Sequence, residues 1–508
     1  MSTLPPCTQM DLIGLFRKRV HMHPDAPALS QQADTLSYRA LDERVRQWAE
    51  RLHRYGLRHG DRIAIWSENR VEYVQIQLAC ARLGLLLACL NWRLHGSEQQ
   101  HCIRLVRPAL AIVSGRYRQA LTALDHGVPR ILDLDTALEF ETGCTHESVA
   151  APNPESGLLI LYTSGTTGLP KGAVISQRAS IARAVAFAAD YGMTHADGFI
   201  AWSPLFHMAA TDHALATLLL GGHVTIQDGF SAPDIHAVLN RERIGWLLLM
   251  PGVIEPMIAT LRASGAAPRE LRMVGAMADL VPRHQLAELT RLLSAPYVNT
   301  FGSTETGLAP ASAALIGVGQ APESLPKRES GWCLIRLVDS HGQDVAPGVP
   351  GDMLVRGPGL FSGYWVDGRI DASDLASGWF NMGDMFVRQA DGSLEFVDRS
   401  KYLIKSGGEN IYPAEIERVL LAHPRVLEAV VVRKKDDQWG EVPVALVAVS
   451  HPDVRAADLV ALCREHLAGY KIPKDIRIVS NDALPRSSTG KVQKKLLEEQ
   501  LNEPGQSG

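Results

Sequence analysis

Short apolar runs alternate with longer amphipathic stretches through most of the chain. Residues 63–66 read as a strand, 71–83 as a helix and, past the break at Gly84, 85–90 as another strand. Further buried strands are predicted at 158–162, 199–203, 224–226 and 246–250, with amphipathic segments such as 180–189 and 283–293 between them. This alternation predicts an α/β fold with buried, largely parallel sheets. From about Gly331 the texture changes to short strands at 334–339, 351–356 and 394–397, separated by Gly, Pro and Asp turns, which predicts a β-rich subdomain. From about Lys401 a third pattern begins: helix 413–422, strands 426–433 and 442–450, helix 457–468. About 100 residues with their own apolar set predict a separate small domain.

The chain of 508 residues is 46% hydrophobic and 21% charged, enough for a sizeable core and the mix of an ordinary globular protein. Lys and Arg total 51 against 55 for Asp and Glu, a formal net charge of −4, which argues against a general nucleic-acid binder. The cysteines, Cys7, Cys80, Cys89, Cys102, Cys144, Cys333 and Cys463, form no CxxC pair. That fits free thiols in a reducing compartment and disfavours a structural zinc site. No basic segment followed by an apolar core opens the chain. The most apolar window, 76–90, contains Arg82 and is too short to span a bilayer. A soluble, cytoplasmic protein without a membrane span is expected.

The segment with most chemistry runs from Leu158 to Gly172. An apolar strand leads into Thr163, Ser164, Gly165, Thr166, Thr167 and Gly168, then Leu169, Pro170, Lys171 and Gly172. Glycines let backbone N–H groups approach an anion, hydroxyls donate further hydrogen bonds and lysine supplies charge. The string is a phosphate cradle by chemistry. It is not the G-x-x-x-x-G-K-[ST] loop, because Pro170 precedes Lys171 and Gly172 follows it.

The string from Tyr162 to Gly172 closely resembles the signature of the AMP-binding, adenylate-forming superfamily, which includes acyl-CoA synthetases. Further motifs recur in family order, so the resemblance covers about 11–497. It implies a large N-terminal α/β domain over 1–399, with the β-rich subdomain at 331–399, and a small mobile α/β domain over 400–508. It also implies an ATP-dependent reaction in two steps, acyl-AMP formation and transfer to CoA, with Mg²⁺ as cofactor. The partners are then a carboxylic acid, ATP and CoA, with a homodimer left open.

The resemblance assigns roles residue by residue. Phe301, Gly302, Ser303, Thr304 and Glu305 look like the second core motif, with Phe301 against adenine, Thr304 on the AMP phosphate, and Glu305 and Thr166 on Mg²⁺. The family usually has Tyr where Phe301 stands. Gly275, Ala276 and Met277 resemble the loop under adenine. Asp384 is the implied ribose acceptor, in a segment where Asn381 and Met382 replace the usual Arg-Thr. Arg399 would contact ribose or phosphate, and Lys401 would be the hinge, with Tyr402 replacing the usual acid. Gly407 and Gly408 would line the thiol tunnel, and Trp439 would contact CoA. Lys491 would be the adenylation lysine. His207 stands where amino-acid-activating relatives carry aspartate, which disfavours an α-amino acid substrate. The acyl pocket would be formed by His207, Met208, Ala209, Met250, Gly275, Ala276 and Gly302, an apolar lining that leaves aliphatic and aromatic acids both open. Gln177 replaces a common family His.

The expected enzyme is therefore an acid–thiol ligase, an AMP-forming acyl-CoA synthetase. A stand-alone adenylation enzyme that loads a carrier protein is the alternative within the family. A non-catalytic nucleotide-binding protein is the alternative from another class, and the joint presence of Glu305, Asp384, Arg399 and Lys491 disfavours it.

Overall fold

The computed structural model of the chain describes residues 10–137, 153–163, 169–265, 268–308, 310–406, 409–436, 438–486 and 492–502. The helix Tyr38–Arg54 shows how local chemistry sets an element. Ser37 accepts the Ala40 amide at 3.2 Å and so caps the helix. Tyr38, Leu41, Val45, Trp48 and Leu52 then recur at three- and four-residue spacing and are all buried. The helix Val71–Leu83 is different, being buried on nearly every side before Gly84, at φ 65°, ends it. Its position explains this. One continuous core holds Tyr73, Ile76 and Leu78 of this helix, Leu87 and Leu159 of one sheet, and Phe199 and Val224 of another.

Those two sheets have eight strands each. The first runs Arg369–Asp371, Gly363–Val366, Lys171–Ser176, Gly157–Thr163, Leu86–Cys89, Arg62–Trp66, Leu110–Val113, Ile131–Asp133. From Gly157–Thr163 onward its pairs are parallel. The second runs Leu315–Ile316, Tyr297–Val298, Glu270–Val274, Arg243–Leu247, Gly198–Ala201, Val224–Ile226, Pro27–Gln31, Asp34–Ser37, and only its two edge pairs are antiparallel. The helices Val71–Leu83 and Met208–Leu220 fill the space between the sheets, and separate apolar clusters cover the outer faces.

Two expectations shift. The strand expected at 246–250 is Arg243–Leu247, because Pro251 opens a 3-10 turn and the chain leaves the sheet before it. Within 331–399, Leu334–Val338, Pro350–Arg356, Phe380–Arg388 and Leu394–Arg399 form a four-stranded antiparallel sheet. Gly363–Val366 leaves that group and pairs with Lys171–Ser176 instead.

The last part of the chain has its own sheet. Gly440–Val449 pairs with Val426–Asp436, Ile404–Ser406 and Asp475–Val479. The helices Pro413–Leu421 and Ala456–His466 bury Ile416, Leu420, Leu459 and Cys463 against Val431 and Val447. Among the described residues all cysteines are free thiols, and no helix is long and apolar enough to cross a membrane.

At the junction Asp398, 2% exposed, accepts the Ala414 amide at 2.8 Å and so holds the first turn of Pro413–Leu421. Arg418 of that helix donates to the Phe396 carbonyl at 3.1 Å. Burial raises the Asp398 carboxyl from 3.8 to about 6, with Lys494 working in the opposite direction. A carboxyl raised on folding contributes most below pH 3.8, and that contribution is lost as pH rises through about 6. The melting temperature of the wild type relative to Asp398→Asn should therefore fall between pH 4 and pH 7. A difference that stays flat, followed by differential scanning fluorimetry, would refute the assignment.

Candidate active site

The strand Gly157–Thr163 turns back into Lys171–Ser176, and Thr163 pairs with Lys171. Ser164, Gly165, Thr166, Thr167 and Gly168, which join them, lie outside the described residues, as do Gly407, Gly408 and Lys491. Lys171 Nζ stands 4.8 Å from the ring centroid of Tyr364 on the neighbouring strand. The Tyr364 hydroxyl donates to Glu305 Oε1 at 2.7 Å. Burial and the adjacent Glu305 both push the phenol well above its usual range, so it stays protonated and donates. The Phe361 amide donates to the Glu305 carbonyl at 2.8 Å. One segment thus holds the acid of the second motif beside the lysine of the glycine-rich loop.

The second motif is a tight turn. A Cβ on Gly302 would lie 2.0 Å from the Gly307 carbonyl oxygen, so only glycine fits. The Ser303 amide donates to Thr306 Oγ1, which donates in turn to the Gly307 carbonyl. Phe301 packs edge-on against Phe386 at 4.6 Å, which ties the motif to the four-stranded sheet. From behind, the Arg183 guanidinium donates to the Thr304 carbonyl at 3.0 Å, the Gly359 carbonyl at 2.9 Å and Asp212 Oδ2 at 2.8 Å. Both members of that ion pair are 5% exposed.

Asp384 and Arg399 face each other across antiparallel strands, with Nε donating to Oδ1 at 3.0 Å. Burial works against the Arg399 cation, yet Asp384 and the neighbouring acids hold it above its usual range. The two residues assigned to ribose and phosphate are therefore already one ion pair.

The loop Gly275, Ala276, Met277 is over-determined. Gly275 sits at φ 94°, and a Cβ there would lie 2.1 Å from the Tyr297 ring. The Tyr297 hydroxyl donates to the Ala276 carbonyl at 2.7 Å and accepts its amide at 3.1 Å. Met277 adopts φ 49°, rare for a side-chain-bearing residue, and its amide donates to Thr300 Oγ1. Beside it Lys327, 1% exposed, donates to Asp279 at 2.6 Å and Asn299 at 2.7 Å. Burial lowers this ammonium and Asp279 opposes that shift.

His207 caps the helix Met208–Leu220, its Nδ1 accepting the Ala209 amide at 3.3 Å. Met208 and Ala209 are buried at the start of that helix, and Met250 packs against the cores on both faces of the second sheet. Gln177 is fully buried, where it accepts the Leu12 amide and donates to the Ala81 carbonyl; it is a cross-brace between elements. Lys401 is exposed, with Nζ 5.0 Å from the Tyr402 ring. Trp439 is exposed under Lys474. Tyr364, Arg183, Tyr297 and Lys327 were not legible as site residues. Each acts through a partner more than 20 positions away, and none lies in a motif of chemical residues.

The chain matches the AMP-binding enzyme family over residues 16–365, and the C-terminal domain of AMP-binding enzymes over 415–491. It belongs to this adenylate-forming family and is an acid–CoA ligase of it. It is similar to the indoleacetate–CoA ligase of Aromatoleum aromaticum, 34% identical over 96% of this chain and 97% of that protein. It is also similar to a feruloyl-CoA synthase of an Amycolatopsis species, 31% identical over 94% of this chain and 96% of that one. Among solved structures, the o-succinylbenzoate CoA synthetase of Bacillus subtilis with ATP and magnesium ion superposes with a TM-score of 0.82 at 28% identity, covering 97% of this chain and 100% of that one.

Tyr364→Phe removes one hydrogen bond to a carboxylate, about 1.5–3 kcal/mol, and leaves the ring on Lys171. It should lower kcat/KM for ATP about 10- to 100-fold, read as AMP release under saturating acid and CoA. An unchanged value would show that Glu305 needs no such support.

Proposed function

We propose that this ligase activates an aromatic carboxylic acid and passes the acyl group to CoA. In the first step a carboxylate oxygen attacks the α-phosphorus of ATP, and the bond to the pyrophosphate oxygen breaks. In the second the CoA thiolate attacks the acyl carbonyl, and AMP leaves with the carboxyl oxygen that joined it. The observation that carries the aromatic reading is the group of rings packed around the helix that His207 caps. There His213 lies edge-on to Phe187 at 4.6 Å and to Trp246 at 4.4 Å, with Phe199 beside them. A planar ring packs on such edges better than a flexible chain does. The relatives above support it, since their names specify indoleacetate, ferulate and o-succinylbenzoate, all aromatic acids.

Each residue then has a task. Asp384 would accept from the ribose, and Arg399 fixes its carboxylate. Gly275 and Ala276, pinned by Tyr297, would give adenine a flat backbone surface. Lys171 and Lys491 would meet charge on the phosphates and the carboxylate, and Gly407 and Gly408 would let the pantetheine arm pass. Glu305 fits Mg²⁺. Its Oε1 is held by Tyr364, and among the described residues Oε2 has no hydrogen-bond partner. A single carboxylate with substrate phosphates suits this ion, and the described residues hold no cluster of metal-binding side chains that would favour another. When bound, Mg²⁺ neutralises charge on the phosphate oxygens.

The test is AMP release across aromatic and aliphatic acids of matched carbon number, with and without CoA. Release should depend on CoA and favour aromatic acids at least tenfold in kcat/KM. Equal or better use of aliphatic acids would overturn the aromatic reading. Pyrophosphate release with turnover only on a phosphopantetheinylated protein would overturn CoA as the acceptor. Glu305→Gln should cost on the order of 10²–10³ in kcat, the size expected for one charge-stabilising group.

A further inference from the structure

Behind the turn that carries Glu305 lies a pocket between the helices Gln177–Tyr191 and Met208–Leu220. Phe187, Tyr191, Leu308 and Trp332 give it an apolar, largely aromatic wall. Its polar lining includes Asp212 and His213, 7% and 3% exposed, beside Arg183, Asp190, Thr306 and Ser312. His213 Nδ1 lies 2.7 Å from the Ala209 carbonyl oxygen. A carbonyl oxygen only accepts, so Nδ1 carries the proton. Burial lowers the imidazole to about 4, so the ring is neutral near pH 7 and Nε2 holds a lone pair. Among the described residues nothing donates to Nε2. Asp212 uses Oδ2 on Arg183, while its Oδ1 is buried without a partner. The pocket wall therefore carries one buried acceptor without a donor, Asp212 Oδ1, a kind of group that is rare in a finished interior, and with it the unbonded lone pair of His213 Nε2.

We infer that this pocket receives the far edge of the substrate's aromatic ring and that His213 Nε2 accepts a hydrogen bond from an N–H or O–H on that ring. The inference rests on the aromatic-acid reading above. Size decides against larger occupants. The cavity is about 40 Å³, room for about three waters or one ring edge and too small for a nucleotide or a pantetheine arm. Position links it to the chemistry. Thr306 in its wall adjoins Glu305, and His213 sits on the helix that His207 caps. A site built to bond a ring donor discriminates strongly against the isostere that lacks it, because the buried acceptor is then left unpaired. His213 would thus be a specificity-determining residue rather than part of the reacting machinery.

The test compares kcat/KM for isosteric pairs with the intact enzyme. One pair is indole-3-acetate and benzofuran-3-acetate; the other is 4-hydroxycinnamate and 4-fluorocinnamate. At least one pair should favour the donor-bearing acid by tenfold or more. His213→Phe should bring that ratio below about twofold, and His213→Gln, which restores an acceptor, should recover part of it. Because the readout is a ratio within one variant, loss of active protein does not mimic it, and the wild-type ratio stands even if neither variant folds. Turnover of both members of each pair at equal rates would overturn the inference and leave the aromatic reading intact. A preference that survives in His213→Phe would remove His213 from the role. Failure of every aromatic acid would overturn both readings together.

Discussion

The Arg183 guanidinium is the interaction on which this site depends. A buried cation is tolerated only when its donors are satisfied, and here Asp212 and two backbone carbonyls do so. Those partners belong to three separate parts of the chain. Asp212 lies on the helix that starts at His207, the Thr304 carbonyl belongs to the turn of Glu305, and the Gly359 carbonyl opens the segment that leads to Tyr364. Arg183 itself follows the glycine-rich loop on the next helix. Burial pushes the Asp212 carboxyl up and Arg183 pulls it down, so each charge depends on the other being present. Removing one partner of such a pair typically costs about 3–5 kcal/mol, because the remaining charge is stranded.

The same logic, an internal donor or acceptor holding an irregular turn, recurs around the site. Tyr297 clamps both backbone groups of Ala276, Thr300 holds the left-handed Met277, and Lys327 joins Asp279 to Asn299. Strained turns persist where the surroundings over-determine them. The site is thus built from loops whose freedom has been removed by residues that touch no substrate. These supports lie on the second sheet and its turns, whereas Lys171 and Tyr364 come from the first. The layer of buried helices between the sheets is what fixes one set against the other.

Much of this architecture was legible from residue order. The strands at Arg62–Trp66, Gly157–Thr163 and Val224–Ile226 and the helix Arg283–Leu293 follow directly from apolar spacing. The glycine-rich string reads as a phosphate cradle because its chemistry is contiguous. Asp384, Arg399 and Glu305 were legible only as motif members, since an isolated loop acid or arginine is most often just solvated. Gln177 stands where the family commonly has His, and its role as a buried brace is not legible there because its partners, Leu12 and Ala81, are 165 and 96 positions away.

The sequence by itself determined the elements, their layering and the chemical inventory, because helix and strand periodicity and contiguous loop chemistry are local properties. Only the tertiary structure decided which groups meet. It sent Gly363–Val366 to the first sheet and so brought Tyr364 to Glu305. It closed Arg183 on three distant partners and left His213 with a free lone pair in a ring-lined pocket. Hydrogen bonds and buried charges are directional and short-ranged, so their partners are chosen by packing and leave no periodic trace along the chain.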